Sequence, residues 1–543
     1  MNGCVEHLLV GEGTPAGAGG SGIADGGTPA EAGGTDGGGG SLDQGASGGK
    51  SGAAAAAGSS EPGTGGSAGQ ASAGTGGSGG GAAPSGGTAG ESEGGSAGSE
   101  CSGETVAYLN VVRQSELEAV RGLGAVTGEL VIGGAVDDLA PLACLTRAGT
   151  LKIEDNVSLR TLRGLSSLQE VGVFELYNNQ LLADISALSS TAITSRIRVE
   201  RNRALQSLVG LEGAVELPDG LYLIGDSTYT SLAGLDQLVR VGQFFITTLP
   251  NLTSLEGLEN LTSVDALGIA SNPELVSIGA LQKLERVEVL DINYNEALSS
   301  LGGIDIEVGR SLSIVSNALE SISGIRPTGD LDFVGIADEP LVKSLESFAG
   351  LTSVDTLSIE LMEGLTTLRG LDNLTTVWST IGGEGLVLNS NQGLVSLEGL
   401  GSLTKAGRLE IAWHGALTTL EGLNPELEVE GLILSENPVL GDISAVTPTA
   451  VGGDFGIFEC DALTSVAGLE TLTEVGYFTV KGNDALVSLR GFEGLASVAN
   501  NFEISGNSAL PNCEALWLRD RVGRANIAGT IRISDNGDGT CDP

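Results

Sequence analysis

The sequence predicts a mostly β protein, in which a parallel β-solenoid of about 18 coils spans residues 101–543 and follows a disordered, Gly/Ser-rich tether over residues 1–100. Three observations carry this prediction. An apolar pattern recurs about every 23 residues from residue 130 onward, an asparagine recurs at one place in that pattern, and 36 of the 87 glycines lie in the first 100 residues.

The first 100 residues have the composition of a flexible tether. They contain no aromatic residue and only one base, Lys50, and they cannot bury enough apolar surface to offset chain entropy. A Gly-rich chain of this length reaches roughly 50–60 Å. Cys4 follows Gly3, which resembles the mature start of a bacterial lipoprotein and predicts a lipid anchor to the outer membrane at Cys4. The alternative is a chance cysteine.

The repeat reads V-x-G-x-L-x-I-x-x-N-x-x-L-x-S-L-x-G-L-x-x-L. Its L-x-I piece alternates like a strand with one buried face, and the later leucines are expected to point inward from the other walls of each coil. Intervals of 19, 26 and 29 residues between Leu312 and Leu386 predict a junction of two halves near residues 320–386. The predicted strand openings are Leu130, Leu151, Phe174, Ile197, Leu221, Phe244, Leu267, Leu290, Leu312, Leu331, Leu357, Leu386, Leu409, Leu432, Phe455, Phe478, Phe502 and Ile531.

A polar residue recurs three places after the isoleucine of each strand. An amide side chain carries donors and acceptors, so it can satisfy backbone groups at a sharp corner and form a ladder from coil to coil. The ladder residues are Asn156, Asn179, Asn202, Asn272, Asn295, Asn317, Asn391, Asn437, Asn483, Asn507 and Asn536. The same position holds Asp226, Leu249, Met362, His414 and Cys460, so His414 is predicted to be a core residue and not a ligand.

The cysteines lie mostly near the ends of the solenoid, where exposed core needs closing. We expect a Cys513–Cys541 disulfide in a C-terminal cap over residues 508–543, worth about 3–4 kcal/mol on the chain-entropy model. Cys101 and Cys144 are the candidate pair at the start, and Cys460 is predicted to be a buried thiol. Disulfides indicate an oxidising, extracytoplasmic compartment.

The repeat resembles the leucine-rich-repeat class, and specifically the receptor L-domain repeats of insulin- and EGF-type receptor ectodomains, which likewise read L-x-I-x-x-N-x-x-L before a second leucine run. The resemblance covers residues ~105 to 541. It implies a right-handed solenoid of leucine-rich-repeat-like coils that is used for binding outside the cell. This chain has many more coils than one L domain and no cysteine-rich module, so receptor activity is not carried over.

Composition excludes several classes of function. The formal net charge of -43 would repel phosphate, so no nucleic-acid partner is expected. The sequence contains no apolar run long enough to span a membrane. With two histidines in the chain, no metal site and no cofactor are predicted. The stretch from Ser534 to Gly539 resembles half a calcium loop but is better explained as a capping turn.

Three functional classes remain. The favoured one is a non-catalytic binding or adhesion solenoid for an extracellular protein or glycan, displayed at the cell surface, held as an outer-membrane lipoprotein, or secreted. The first alternative is a polysaccharide-active parallel β-helix enzyme, which would need clustered carboxylates. The second is a purely structural spacer. The outward carboxylates are isolated in the sequence: Glu154, Glu200, Asp291, Glu360 and Glu410.

The predicted ligand-binding face lies on the strands, where the second, fourth and fifth residues of L-x-I-x-x-N should point outward. Tyr222 and Phe245 occupy the same place on adjacent coils and should stack, with two arginines on the coil before them. Aromatic rings beside arginines are typical of binding hot spots. The alternative is that stacked aromatics serve the stability of the sheet. The predicted face comprises Tyr177, Arg198, Arg201, Tyr222, Phe245 and Tyr294.

Overall fold

The computed structural model describes residues 101–225, 227–378 and 385–541. The predicted tether and Cys4 lie outside these residues. Within them, no helix is long and apolar enough to cross a membrane.

The described chain alternates strands with turns and short helices. The strands are β1 (Thr105–Val106), β2 (Leu109–Arg113), β3 (Ala125–Ala135), β4 (Arg147–Glu154), β5 (Glu170–Tyr177), β6 (Ala192–Glu200), β7 (Glu216–Leu217), β8 (Gly220–Ile224), β9 (Arg240–Thr247), β10 (Ser263–Ala270), β11 (Arg286–Asn293), β12 (Ile306–Val315), β13 (Ile325–Pro327), β14 (Gly329–Ala337), β15 (Leu351–Glu360), β16 (Thr376–Val377), β17 (Leu386–Asn389), β18 (Lys405–Ala412), β19 (Glu428–Ser435), β20 (Ala450–Phe458), β21 (Glu474–Lys481), β22 (Ser497–Val498), β23 (Phe502–Ser505) and β24 (Ile531–Ser534). The α-helices are α1 (Gln114–Glu118) and α2 (Asn512–Val522), and 3₁₀ turns span Ala140–Leu142, Ser186–Leu188, Gly279–Leu281, Glu346–Phe348, Arg490–Phe492 and Arg524–Asn526.

One parallel sheet runs along the solenoid. The first apolar residue of each L-x-I piece pairs with its counterpart on the next coil, from Leu130 with Leu151 near the start to Phe502 with Ile531 at the end. The fold class predicted from the repeat, a parallel β-solenoid, is therefore confirmed. One further coil precedes those identified in the sequence, because Leu109 of β2 pairs with Leu130.

The strand after Leu312 opens at Val334, so the predicted opening at Leu331 is wrong. Val334 pairs with Leu312 on one side and with Leu357 on the other, which restores near-regular spacing and removes the short interval. Leu331 is itself buried, and for that reason it fitted the apolar pattern. The long interval after Leu357 remains. The junction near residues 320–386 stays a prediction.

Buried aliphatic and aromatic side chains fill the interior of each coil. In β5, Phe174 and Leu176 are fully buried, while Glu175 and Tyr177 between and after them are only partly covered. Leu182, in the turn that follows, is also fully buried. Burying one such leucine contributes about 1.5–3 kcal/mol relative to leaving it exposed, so the recurring leucines are the main source of stability.

The predicted asparagine ladder is present, at the corner that follows the L-x-I piece of most coils. The backbone N–H of Asn179 donates to Oδ1 of Asn202 at 3.0 Å, and Nδ2 of Asn179 donates to the carbonyl oxygen of Ile153 at 2.8 Å. Asn272 and Asn295 repeat the arrangement. Each amide thus accepts from the preceding coil and donates to its strand, which satisfies backbone groups that would otherwise be buried without partners.

Glu339 occupies the ladder position of the coil that opens at Val334. The sequence pattern did not reveal it, because the opening predicted at Leu331 lies three residues too early. Its Oε1 accepts from the backbone N–H and Nδ2 of Asn317 at 2.8 and 2.7 Å, and its Oε2 accepts from the N–H of Leu319 at 3.2 Å. Burial raises the pKa of Glu339 even though these three donors oppose the shift. A carboxylate therefore replaces the amide oxygen of the ladder here.

His414 is fully buried at its ladder position, as predicted. Its Nδ1 lies 3.2 Å from the carbonyl oxygen of Asn391, and its Nε2 lies 3.2 Å from that of Leu388. Burial lowers the pKa of His414. Cys460 is a free, buried thiol, and burial raises its pKa to about 11. Leu249 and Met362 are buried in the same series, whereas Asp226 lies outside the described residues.

Disulfides close both ends of the described solenoid. Cys101 is bonded to Cys144, and Cys513 at the start of α2 is bonded to Cys541. The last coils are further joined to α2 by Glu514, whose Oε1 accepts from Nη2 of Arg490 at 3.0 Å. Both pairs predicted from the placement of the cysteines are therefore present.

Candidate functional site

The solvent side of the sheet presents the second residue of each L-x-I piece as a continuous row. Strand pairing sets these residues side by side, and adjacent strands are about 4.8 Å apart. The row therefore brings neighbouring side chains into contact. Over six successive coils it reads Glu175, Arg198, Tyr222, Phe245, Gly268 and Asp291.

Tyr222 and Phe245 stack as predicted, with ring centroids 5.7 Å apart and planes inclined by 20°. Phe245 lies flat over Gly268, where a Cβ atom would meet the ring at 2.6 Å. Tyr222 lies over Gly220 in the same way, and its hydroxyl donates to Oε1 of Gln243 at 2.7 Å. The two glycines thus leave room for half-buried rings that lie along the sheet.

Arg198 and Arg201 share one buried carboxylate, that of Glu200. Nη2 of Arg198 lies 2.7 Å from Oε2 of Glu200, and Nη1 of Arg201 lies 3.7 Å from Oε1. Arg201 also donates to the hydroxyl of Tyr177 at 3.0 Å, with its guanidinium 5.9 Å from the centre of that ring. Glu200 is 6% exposed, whereas the guanidinium groups remain half exposed. We call Tyr177, Arg198, Arg201, Tyr222 and Phe245 the aromatic–arginine patch.

A third arginine borders this patch and was missed by the sequence analysis. Nη2 of Arg196 lies 2.6 Å from Oε1 of Glu175 on the preceding coil. Arg196 precedes the L-x-I piece, so it falls outside the repeat positions that predict the outward face. The charge signal was nevertheless visible, since three of the chain's few bases fall within six residues at Arg196, Arg198 and Arg201.

The remaining outward aromatics lie away from the patch. Tyr294 is 45% exposed at the corner of the coil that opens at Leu290, two coils beyond Phe245. Among the described residues it makes no ring contact and no side-chain hydrogen bond with the patch. Trp413 and Phe458 lie on later coils. The structure therefore brings five of the six predicted ligand-binding residues together and leaves Tyr294 apart.

The isolated carboxylates are mostly engaged within their own strands. Glu154, Glu200 and Glu410 each pair with a base two residues earlier, at 2.7, 2.7 and 2.8 Å. Glu360 accepts from the hydroxyl of Ser358 at 2.6 Å. Burial raises the pKa of Asp291 to about 6. These carboxylates stand on separate coils, and Glu154, Glu200, Glu360 and Glu410 are each engaged with a residue two places earlier on the same strand.

The described part of the chain contains no group of three or more His, Cys, Asp or Glu side chains placed to hold a metal ion. The stretch from Ser534 to Gly539 begins at the end of β24, the last strand of the sheet. Gly537 there donates to the carbonyl oxygen of Asn507 at 3.2 Å. This segment packs against the preceding coil as a turn would.

Solved leucine-rich-repeat structures are similar to this chain. An internalin from Listeria monocytogenes is 15% identical over 79% of this chain and 84% of its own, with a TM-score of 0.26. The functional domain of InlJ from the same organism is 15% identical over 72% and 75%, with a TM-score of 0.35. A leucine-rich-repeat protein from Leptospira interrogans is 14% identical over 78% and 95%, with a TM-score of 0.31. No family model and no curated protein sequence matches the chain.

Proposed function

We propose that the chain is a non-catalytic binding solenoid that works outside the cytoplasm and engages a glycan or a protein through the aromatic–arginine patch. The observation that carries the proposal is the Tyr222–Phe245 stack beside Arg198, whose guanidinium is fixed by Glu200. Rings and guanidinium groups that are already held in place lose little conformational entropy when a partner docks.

The balance of charge in this region narrows the class of partner. Arg196, Arg198 and Arg201 are matched in part by Glu175 and Glu200, at 2.6 to 3.7 Å. A patch that neutralises most of its own charge recognises a partner by stacking and hydrogen bonding more than by net charge. A neutral sugar ring, or a flat polar protein surface, fits this description better than a polyanion.

The placement outside the cytoplasm is supported by the two disulfides at the ends of the solenoid. In this proposal residues 1–100 form the tether, and a lipid on Cys4 anchors it.

A screen on the full chain tests the proposal. The protein is incubated with a glycan array and with envelope fractions, and both retention and cleavage of the glycan are measured. We expect retention without cleavage. Glycan cleavage would favour the β-helix enzyme, whereas absence of retention on every surface would leave a structural spacer.

The double variant Tyr222→Ser/Phe245→Ser then tests the patch on the best partner from the screen. We expect at least a tenfold loss of affinity, because stacked aromatic rings carry binding energy out of proportion to their number. Tyr477→Ser is the matched control, since Tyr477 is 43% exposed on a distant coil. Lowered melting temperature with full retention would show that the stack serves only the stability of the sheet.

A further inference from the structure

A shallow depression of about 320 Å³ lies beyond the carboxyl ends of β17, β18, β19 and β20, far along the chain from the aromatic–arginine patch. One large aromatic side chain and three carboxylates line it. We call Gln392, Trp413, Glu436, Glu459 and Asp461 the Trp413 niche.

The backbone directs three of these side chains outward at successive corners. Trp413, Glu436 and Glu459 have φ angles of 63°, 53° and 50°, in the left-handed region that non-glycine residues seldom adopt. Their N–H groups are fixed to the next strand, at 3.0, 2.9 and 3.0 Å. Gln392 donates through Nε2 to the carbonyl oxygen of Trp413 at 2.7 Å. Trp413 is thus held in place by its backbone while 49% of it stays exposed.

The niche carries uncompensated negative charge. Among the described residues, no base lies within 4.0 Å of a carboxylate oxygen of Glu436, Glu459 or Asp461. Burial, and after it the charge of Glu459, raises the pKa of Glu436. The carboxylates are not arranged to hold a metal ion among them. Unpaired carboxylates attract a cation, and these are too far from a metal-binding arrangement to hold a metal ion. The occupant that fits the niche is therefore a cation larger than a metal ion.

An apolar strip adjoins the carboxylates on the sheet side. Phe458 directly precedes Glu459, and its ring lies over Gly456, where a Cβ atom would meet it at 2.2 Å. The same Cβ position on Gly456 would also lie 3.1 Å from Cδ1 of Ile433 on the neighbouring coil. An apolar surface beside unpaired acids suits a ligand with both charged and apolar groups.

We propose that the Trp413 niche is a docking surface for a basic polypeptide segment, with a lysine or arginine side chain over the Trp413 ring and between Glu436 and Glu459. A cation over an indole face gains electrostatic attraction, and the unpaired carboxylates complement its charge. A polypeptide supplies an apolar side chain next to its cation, which a simple amine does not, and this side chain meets Phe458. The niche is separate from the aromatic–arginine patch, so either assignment can fail without the other.

Binding of a labelled peptide with Lys-Ser-Leu-Ser repeats to the full chain tests the proposal by fluorescence anisotropy at ~0.15 M salt, where long-range charge effects are screened. The control peptide has glutamate in place of lysine. Glu436→Gln/Glu459→Gln should weaken binding by about tenfold or more. Trp413→Asn should weaken it by about fivefold. Asparagine is chosen because it tolerates the left-handed conformation, as Asn178 does at the same corner of an earlier coil.

A matched control separates the niche from the charge of the whole chain, since a net charge of -43 attracts any polycation. Glu274 and Glu296 are exposed acids on adjacent coils elsewhere. The pair Glu274→Gln/Glu296→Gln removes the same charge and should change affinity by less than about twofold. An equal loss in this control, or unchanged affinity in Trp413→Asn, would overturn the proposal. Tighter binding of spermine than of the peptide would overturn the polypeptide as occupant.

Discussion

The aromatic–arginine patch and the Trp413 niche both place aromatic side chains beside charged ones, yet they handle charge in opposite ways. In the patch, Arg198 and Arg201 share the buried carboxylate of Glu200. In the niche, Glu436 and Glu459 occupy successive corners of one edge, and no base of the described chain lies within 4.0 Å of them. The patch is nearly balanced within itself, whereas the niche needs a partner to neutralise it.

The contrast between paired charges in the patch and unpaired charges in the niche shows that composition alone does not identify a charged binding surface. Arginines beside tyrosines are typical of hot spots, but charges that already pair within the fold are balanced whether or not a ligand binds. Unpaired like charges at adjacent corners give the fold no such benefit. Binding at the niche should therefore weaken with added salt, while binding at the patch should depend on salt much less.

The largest expected effect comes from removing the charge that balances the patch. Glu200→Gln leaves two arginines without their shared carboxylate, and losing one partner of a pair destabilises most when the charge left behind is buried. Because both guanidinium groups are half exposed and stay hydrated, we expect up to about 2 kcal/mol of lost stability in denaturant unfolding, less than for a fully buried pair.

Glu410→Gln is the control for this change, because Glu410 pairs with Arg408 at 2.8 Å in a more exposed setting. Its effect should be under about 1 kcal/mol. Equal losses in the two variants would mean that burial of Glu200 contributes nothing, and the contrast between patch and niche would then have no energetic basis.

Much of the fold could be predicted from the sequence because the repeat is regular. Leucines at fixed places predicted the strands, and an asparagine at a fixed place predicted the ladder. Among the predicted strand openings, only the one at Leu331 was misplaced. Leu331 is also buried, and it fitted the apolar pattern better than Val334, where the strand opens. Glu339 was therefore not recognised as a ladder residue, since a single carboxylate in a series of asparagines does not recur from coil to coil.

The site was only partly predictable. Tyr222 and Phe245 share a place in the repeat, so their stacking follows from periodicity alone. Whether Glu200 is buried depends on the side chains of two neighbouring coils, which periodicity does not describe. Trp413 stands at the fifth place of its L-x-I-x-x-N piece, which should point outward, but its acidic neighbours at the same place of the next two coils, Glu436 and Glu459, were not connected to it. A search for like charges at the corner place of successive coils would have found the niche.

Asp291 lies at the edge of the patch, and its ionisation should make the stability of the protein depend on pH. It continues the patch row beyond Gly268, and burial raises its pKa to about 6 from an ordinary value near 4. The stability that the protonated form supplies is present below the unfolded pKa and is lost as pH rises from about 4 through about 6. Asp291→Asn should therefore raise stability at pH 7, by about 1–2 kcal/mol after allowance for solvent screening.

Chemical unfolding at pH 4 and pH 7 measures this effect. The difference between the variant and the parent should nearly vanish at pH 4, where the parent's carboxyl is protonated in the folded state. A constant difference at both pH values would show that Asp291 is ionised in the folded protein throughout this range, and burial would then not set its charge.

A smaller effect is expected from the glycine beneath Phe245. In Gly268→Ala the new Cβ would stand 2.6 Å from the ring, so Phe245 must tilt away and loosen its stack on Tyr222. The ring is free to move toward solvent, so we expect a loss of only about 1 kcal/mol. Gly335→Ala is matched, because Phe333 lies over Gly335 at the same 2.6 Å. Both variants should lose similar stability, but only Gly268→Ala should weaken retention of the patch's partner.

The smallest effect is a shift in the titration of the niche. Because burial and then the charge of Glu459 raise the pKa of Glu436, Glu459→Gln should remove the second cause and move that pKa downward. Glu436 lines the same depression as Trp413, so the part of the pH-dependent tryptophan fluorescence that is lost in Trp413→Asn should report its ionisation. The midpoint should fall in Glu459→Gln and stay in place in the control Glu296→Gln, which lies on a distant coil. Equal midpoints in parent and Glu459→Gln would mean that the two carboxylates do not interact, and the niche would lose the repulsion that a bound cation relieves.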